Sequence, residues 1–179
     1  MGHVISGEAI KPDLVKLDGV QLWPVPKNLR ALHSFLGFLN YYCRFIRGYS
    51  ALAQPLHALT RKEVNWQWEW DHQDTFDKLK AAMLSAPVLA YPDHELPYLL
   101  ETDASDKAIG AVLSQEQEDG KWHPVGFMSK TLALAERNYH THDRELLAII
   151  RALEDWWHLL RGTKHTVVVL TDHNNLSTF

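Results

Sequence analysis

Three acids, Asp103, Glu145 and Asp172, have the type and placement that point to chemistry. Asp103 ends the strand-like run Leu99-Leu100-Glu101-Thr102, and Asp172 ends a second run, Val169-Leu170-Thr171. Glu145 falls in or just past the first turn of a helix whose N-cap the pattern places at Thr141, and its side chain tilts back toward the helix start. Parallel pairing of the two strands through that helix would bring all three carboxylates to one edge of a sheet. Crowded like charges repel, and cations relieve the repulsion. Ligands that offer only oxygen suit Mg2+ or Mn2+. Two such ions about 3.5–4 Å apart activate a water and stabilise the leaving oxygen when a phosphodiester is cut in line. Taken singly, each acid has an ordinary explanation: a turn or cap residue for the aspartates, a dipole-favoured helix acid for Glu145. The three together carry the metal reading.

The elements that must position these acids are legible as two halves. In the first, His3 to Ile10 reads as a short strand with a turn at Ser6-Gly7, and Pro12 to Leu22 as a helix stopped by Pro24 and Pro26. Asn28 is an N-cap, and Leu29, Leu32, Leu36, Leu39 and Cys43, widened by Phe35, Tyr42 and Ile46, form an amphipathic helix bent near Gly37. A shorter helix runs from Ser50 to near Leu59. Asp71 caps another, with Phe76, Leu79, Met83 and Leu84 buried.

After Ser85-Ala86-Pro87 the period changes. Pro97 to Asp103, Ala108 to Gln115 and Trp122 to Ser129 read as three strands of an antiparallel meander. Thr141 to Leu160 reads as one long helix with Leu146, Ile150, Leu153, Trp157 and Leu160 inward, and His165 to Thr171 as a strand buried on both faces. The fold class is α/β (α+β): a small helical part, then a mixed sheet of three antiparallel strands, a crossover helix and one parallel strand.

Composition limits the partners. With 179 residues, 46% hydrophobic and 22% charged, the chain buries one medium core or two small ones, and no window approaches the roughly 18 consecutive apolar residues of a membrane span. A single cysteine, Cys43, fits a reducing compartment, and Met1 to Ile10 lacks the basic and apolar regions of a secretion signal. The net charge of -4 is unevenly spread. Lys27 to Lys62 holds Lys27, Arg30, Arg44, Arg47, Arg61 and Lys62 and no acid, whereas the remainder carries -10. That asymmetry suggests a phosphate-facing surface beside a carboxylate-rich part; a solvated helical face is the plainer alternative.

Local sequences then carry a resemblance. Thr102-Asp103-Ala104-Ser105-Asp106 with Ile109-Gly110-Ala111-Val112-Leu113, the run from Arg137-Asn138-Tyr139 through Thr141-His142-Asp143 to Glu145-Leu146-Leu147-Ala148, and Thr171-Asp172-His173 resemble in order three blocks of RNase H from gypsy-type LTR retrotransposons. Pro26-Lys27-Asn28-Leu29-Arg30, Ser34-Phe35-Leu36-Gly37 and Asn40-Tyr41-Tyr42 with Arg44-Phe45-Ile46 are similar to the thumb of the same reverse transcriptases.

The resemblance implies that residues 1–26 end the palm with its primer-grip hairpin and a linking helix, 27–86 form the thumb and connecting helices, and 87–179 an RNase H-like domain cut short at its C-terminus. It implies Asp103, Glu145 and Asp172 as catalytic and metal-binding acids for two Mg2+ or Mn2+ ions. Lys27, Arg30, Arg44 and Arg47 would contact the template-primer backbone; His173 matches the family's residue beside the third acid, and as a lone histidine it reads as a structural hydrogen-bonder. A fourth acid and the palm aspartates would lie outside this chain, which alone would then show little or no hydrolysis.

The implied partners are an RNA/DNA hybrid, a template-primer duplex and the rest of a polyprotein with fingers, palm and integrase, located in a cytoplasmic virus-like particle or the nucleus and not secreted. Trp66, Trp68 and Trp70 alternate as base-stacking residues do, but the matching family segment packs the junction between thumb and nuclease, and that is expected here. The rival readings are an inactive retroelement-derived remnant that only binds nucleic acid or protein, and a scaffold domain without catalysis. Retention of all three acids speaks against the scaffold.

Overall fold

The computed structural model describes residues 3–6 and 9–171. Strands β1 (His3–Ser6) and β2 (Ala9–Pro12) form an antiparallel hairpin, and the two-residue β3 (Leu89–Ala90) adds to β2. Helix α1 (Leu14–Gln21) ends before Pro24, as a chain must where the backbone N–H and helical geometry run out. Helix α2 (Leu29–Tyr41) starts at Asn28, whose side-chain oxygen accepts the Ala31 N–H at 2.9 Å. Its buried stripe is Leu32, Phe35, Leu36 and Leu39.

The helix stops earlier than the apolar spacing suggests. Cys43 opens a separate 3-10 turn, Cys43–Phe45, half-buried against the helical core, and burial pushes its thiol pKa up. Two further expectations change. The expected helix from Ser50 to Leu59 is two, α3 (Tyr49–Leu52) and α4 (Gln54–Leu59): Pro55, without an N–H, sits in the first turn of α4 and breaks the ladder, and Ser50 bonds the sheet instead of serving as a cap. Helix α5 (Trp70–Leu84) is capped by Glu69, not Asp71; the Glu69 N–H donates to His72 Nδ1 at 3.0 Å, and Asp71 lies within the first turn. Phe76, Leu79 and Met83 are buried as expected, but Leu84 is exposed.

These helices enclose the first hydrophobic cluster. Phe35 meets Phe76 in a tilted contact with ring centroids 4.5 Å apart, with Trp23 edge-on at 5.7 Å. Trp66 and Trp68 stack on each other at 5.8 Å and pack on this helical core, so they serve packing, although within the helical half and not at its junction; Trp70 is exposed. Tyr49 is buried in the same cluster, its hydroxyl directed at the Leu36 carbonyl at 3.5 Å, and desolvation pushes its pKa from 10.0 to about 12. Between these values the unfolded chain has lost the phenolic proton and the folded chain keeps it, so stability falls as pH rises. Tyr49→Phe is expected to flatten that alkaline limb in melts taken from pH 10 to 12. An unchanged slope would refute the assignment.

The second half is a four-stranded sheet of order β6-β5-β4-β7, built from β4 (Tyr98–Ala104), β5 (Ala108–Glu116), β6 (Trp122–Thr131) and β7 (Val168–Thr171). The first three pair antiparallel, and β7 joins β4 in parallel, with Thr102 opposite Thr171. Pro124 is accommodated because β6 is an edge strand with a register shift at Leu113/Ser114.

The crossover helix departs from expectation. It divides at Trp156 into α6 (Thr141–Asp155) and α7 (Trp157–Leu160), with His140 and not Thr141 at the N-cap. Its sheet-facing residues are Glu145, Ala148 and Ala152, followed by Trp156, whereas Leu146, Ile150 and Trp157 are exposed. Tyr98, Leu100, Ile109, Leu113 and Met128 already fill the space above the sheet. Close packing then requires small residues on the helix. Strand β7 is not buried on both faces: Val168, Val169 and Leu170 are exposed, because no described element lies over this edge.

Candidate nuclease site

Strand alternation divides the acids between two faces. Leu100, Thr102 and Ala104 point toward α6 with Ala111 and Leu113 of β5, so Glu101 and Asp103 point to the other face, where the helical half packs. Asp103 is exposed there, and its carboxylate has no hydrogen bond or ion pair among the described residues. Glu145 comes from the opposite side. It is 2% exposed, one carboxylate oxygen accepting the Ala104 N–H at 3.1 Å and the other the Thr171 hydroxyl at 3.3 Å. Its charge is therefore held at the C-terminal end of β4, one residue along the chain from Asp103. Thr102, paired with Thr171, carries a buried hydroxyl without a partner among the described residues.

The structure thus brings two of the three predicted acids to one strand end. Asp172 and His173 lie outside the described residues. The parallel β4–β7 register, which the convergence argument required, is present as far as Thr171. No group of three His, Cys, Asp or Glu side chains able to hold a metal exists among the described residues, a set without Asp172. The donors that are described, the carboxylates of Asp103 and Glu145, are oxygens only, which fits a hard divalent cation.

Arg144 was missed in the sequence. Its guanidinium donates to Asp106 at 2.6 Å and to the Ser105 carbonyl at 3.5 Å, tying the start of α6 to the turn that follows Asp103. A cation in a helix's first turns opposes the dipole, and that misfit was the available signal that it needed an anion nearby.

Of the four cations expected to meet nucleic acid, Lys27 and Arg30 are exposed beside the α2 N-terminus, and Arg44 is half-buried with its guanidinium 5.9 Å from the Phe45 ring centroid. Arg47 is exposed in a different setting. With Gly48 it lines a cleft of about 240 Å³ whose other walls include Glu101, Asp103, Gly110, Val112 and Thr171. The two halves join beside this cleft. The Ser50 N–H donates to Ser129 Oγ at 3.0 Å, and Ser50 Oγ donates to the Ser129 carbonyl at 2.7 Å.

A mixed sheet of three antiparallel strands and one parallel strand, with a crossover helix whose buried acid meets the central strand, defines an RNase H-like fold. Residues 68–168 match the family described as "RNase H-like domain found in reverse transcriptase", and the chain belongs to that family. It is 42% identical over 176 residues to the transposon Tf2-3 and Tf2-4 polyproteins of Schizosaccharomyces pombe, matching 98% of this chain and 13% of each polyprotein. The chain therefore spans about an eighth of those relatives' length. The fold is shared with a foamy viral protease-reverse transcriptase in complex with RNA/DNA hybrid, at TM-score 0.79 and 22% identity, over 97% of this chain and 23% of that one. A second such structure, in complex with dsDNA, matches at TM-score 0.78 and 20% identity over 100% of this chain and 39% of that one.

Proposed function

We propose that this chain is the thumb and RNase H segment of a retrotransposon polyprotein that copies RNA into DNA and hydrolyses the RNA strand of RNA/DNA hybrids. The observation that carries the nuclease part is Glu145: a carboxylate 2% exposed, fixed to the Ala104 N–H beside Asp103 in a chain of retrotransposon ancestry. Burying a carboxylate is costly, and its charge has a use if it holds a cation.

Asp103, Glu145 and Asp172 would hold two Mg2+ or Mn2+ ions. Bound there, the ions supply Lewis acidity to the attacking water and the leaving oxygen. The chain's own contribution is placement. The β4 backbone and the Thr171 hydroxyl fix the Glu145 carboxylate, and the Arg144–Asp106 pair holds α6 to the turn after Asp103. Lys27, Arg30 and Arg44 of the thumb would contact the template-primer phosphates, which position a duplex without reading its bases. The partners are the remaining polyprotein segments, fingers, palm and integrase, in a cytoplasmic virus-like particle or the nucleus.

The test is cleavage of an RNA/DNA hybrid, with and without Mg2+ or Mn2+, by the longer protein that carries this segment and by its Asp103→Asn variant. Metal-dependent cleavage that the variant loses supports the reading. Equal rates from the two proteins would overturn it in favour of a remnant that only binds.

A further inference from the structure

The cleft beside Asp103 has a cationic wall supplied by the helical half. Arg47 stands in it on a backbone that is fixed to the sheet, since Ile46 and Tyr49 on either side are buried and Ser50 exchanges two hydrogen bonds with Ser129. Ser129 pairs with Gly110, and Gly110 with Asp103. The anchor of the arginine and the acid therefore lie on one line across three strands, about 10 Å apart at two inter-strand spacings.

Between them the floor is Gly110, the one position on that line with no side chain. A Cβ there would meet only the Met128 carbonyl oxygen, at 3.8 Å, so the gap is open and not closed by close packing. Among the described residues neither Arg47 nor Asp103 has a hydrogen bond or ion pair, although both line the cleft. A guanidinium and a carboxylate that face one gap without closing on each other suit a ligand that is anionic toward the arginine and shares a cation with the acid. A phosphodiester backbone has that chemistry.

We propose that Arg47 is a substrate-binding residue of the nuclease cleft, gripping a backbone phosphate of a nucleic-acid strand laid over Gly110, and not one of the thumb contacts to the template-primer. The assignment rests on the nuclease reading above. It makes the helical half part of the hydrolytic site, with Ser50–Ser129 as the rivet that sets the distance between cation and acid.

The test is binding of a short fluorescent RNA/DNA hybrid to the 179-residue chain, with Ca2+ in place of Mg2+ so that nothing is cut, over a range of salt concentrations. Arg47→Ala is expected to weaken binding about tenfold and to lower the salt slope by about 1, with Arg47→Lys recovering most of the loss. Gly110→Val, which fills the floor, is expected to weaken binding similarly, and the double variant to bind no worse than the poorer single one.

Wild-type binding by Arg47→Ala would overturn the proposal. So would losses that multiply in the double variant, which would put Arg47 on a separate phosphate track. Because this measurement needs no hydrolysis, the nuclease reading fails on its own evidence, if Asp103→Asn leaves cleavage by the longer protein intact.

Discussion

Glu145→Gln is expected to leave the protein folded while cleavage by the longer protein falls on the order of 10²–10³-fold. The amide keeps the size of the carboxylate, and its oxygen can still accept the Ala104 N–H. Its NH2 would face the Thr171 hydroxyl, which can turn its proton away and accept instead. Both of these bonds thus have neutral replacements, and a stability change within about 1 kcal/mol is expected. What the amide lacks is the charge that, in the proposed site, would hold a divalent cation. Asp103→Asn should lose as much activity with even less effect on the fold, because that side chain is exposed and unpaired among the described residues. Thermal melts beside hybrid-cleavage rates decide the matter. A variant that unfolds but, where folded, cleaves normally would make Glu145 a structural acid.

Phe35→Ala should produce the largest loss of stability, about 3–5 kcal/mol. The ring is fully buried and meets Phe76 at 4.5 Å and Trp23 at 5.7 Å, so truncation removes aromatic contacts on two sides and leaves a cavity between α2, α5 and the Trp23 segment. Against a typical total of about 5–15 kcal/mol, that loss is a large fraction of the whole. Urea denaturation measures it directly, with Leu29→Ala as the comparison: Leu29 begins the same helix but is 40% exposed. A loss under about 1 kcal/mol for Phe35→Ala would mean that this cluster is not the core of the helical half.

Which features the sequence disclosed follows from how local their causes are. The Asn28 cap, the Pro24 stop and the three-strand meander depend on neighbours a few residues away, and all are present. The parallel return of β7 was legible because a helix between two strands permits it. The inner face of α6 was not. Large apolar residues marked Leu146, Ile150 and Trp157, but how much bulk the helix can present depends on what the sheet already supplies, and over Leu100, Leu113 and Met128 the middle of α6 presents the small Ala148 and Ala152, with Trp156 following at its end.

The same limit applies at the site. Strand ends disclosed Asp103 and the start of the crossover helix disclosed Glu145, whereas Arg144 acquires meaning only through Asp106, 38 residues away, and Arg47 only through the Ser50–Ser129 contact, which spans 79.

Strand β6 has a consequence for how the molecule comes apart. Phe127 packs against the helical cluster from one side of the strand, while Val125 and Met128 belong to the cluster under α6 on the other. Neither cluster can lose its partner surface without stripping apolar area from a wall that both use. Denaturation is therefore expected to couple helical half and sheet, so that loosening either one weakens the other.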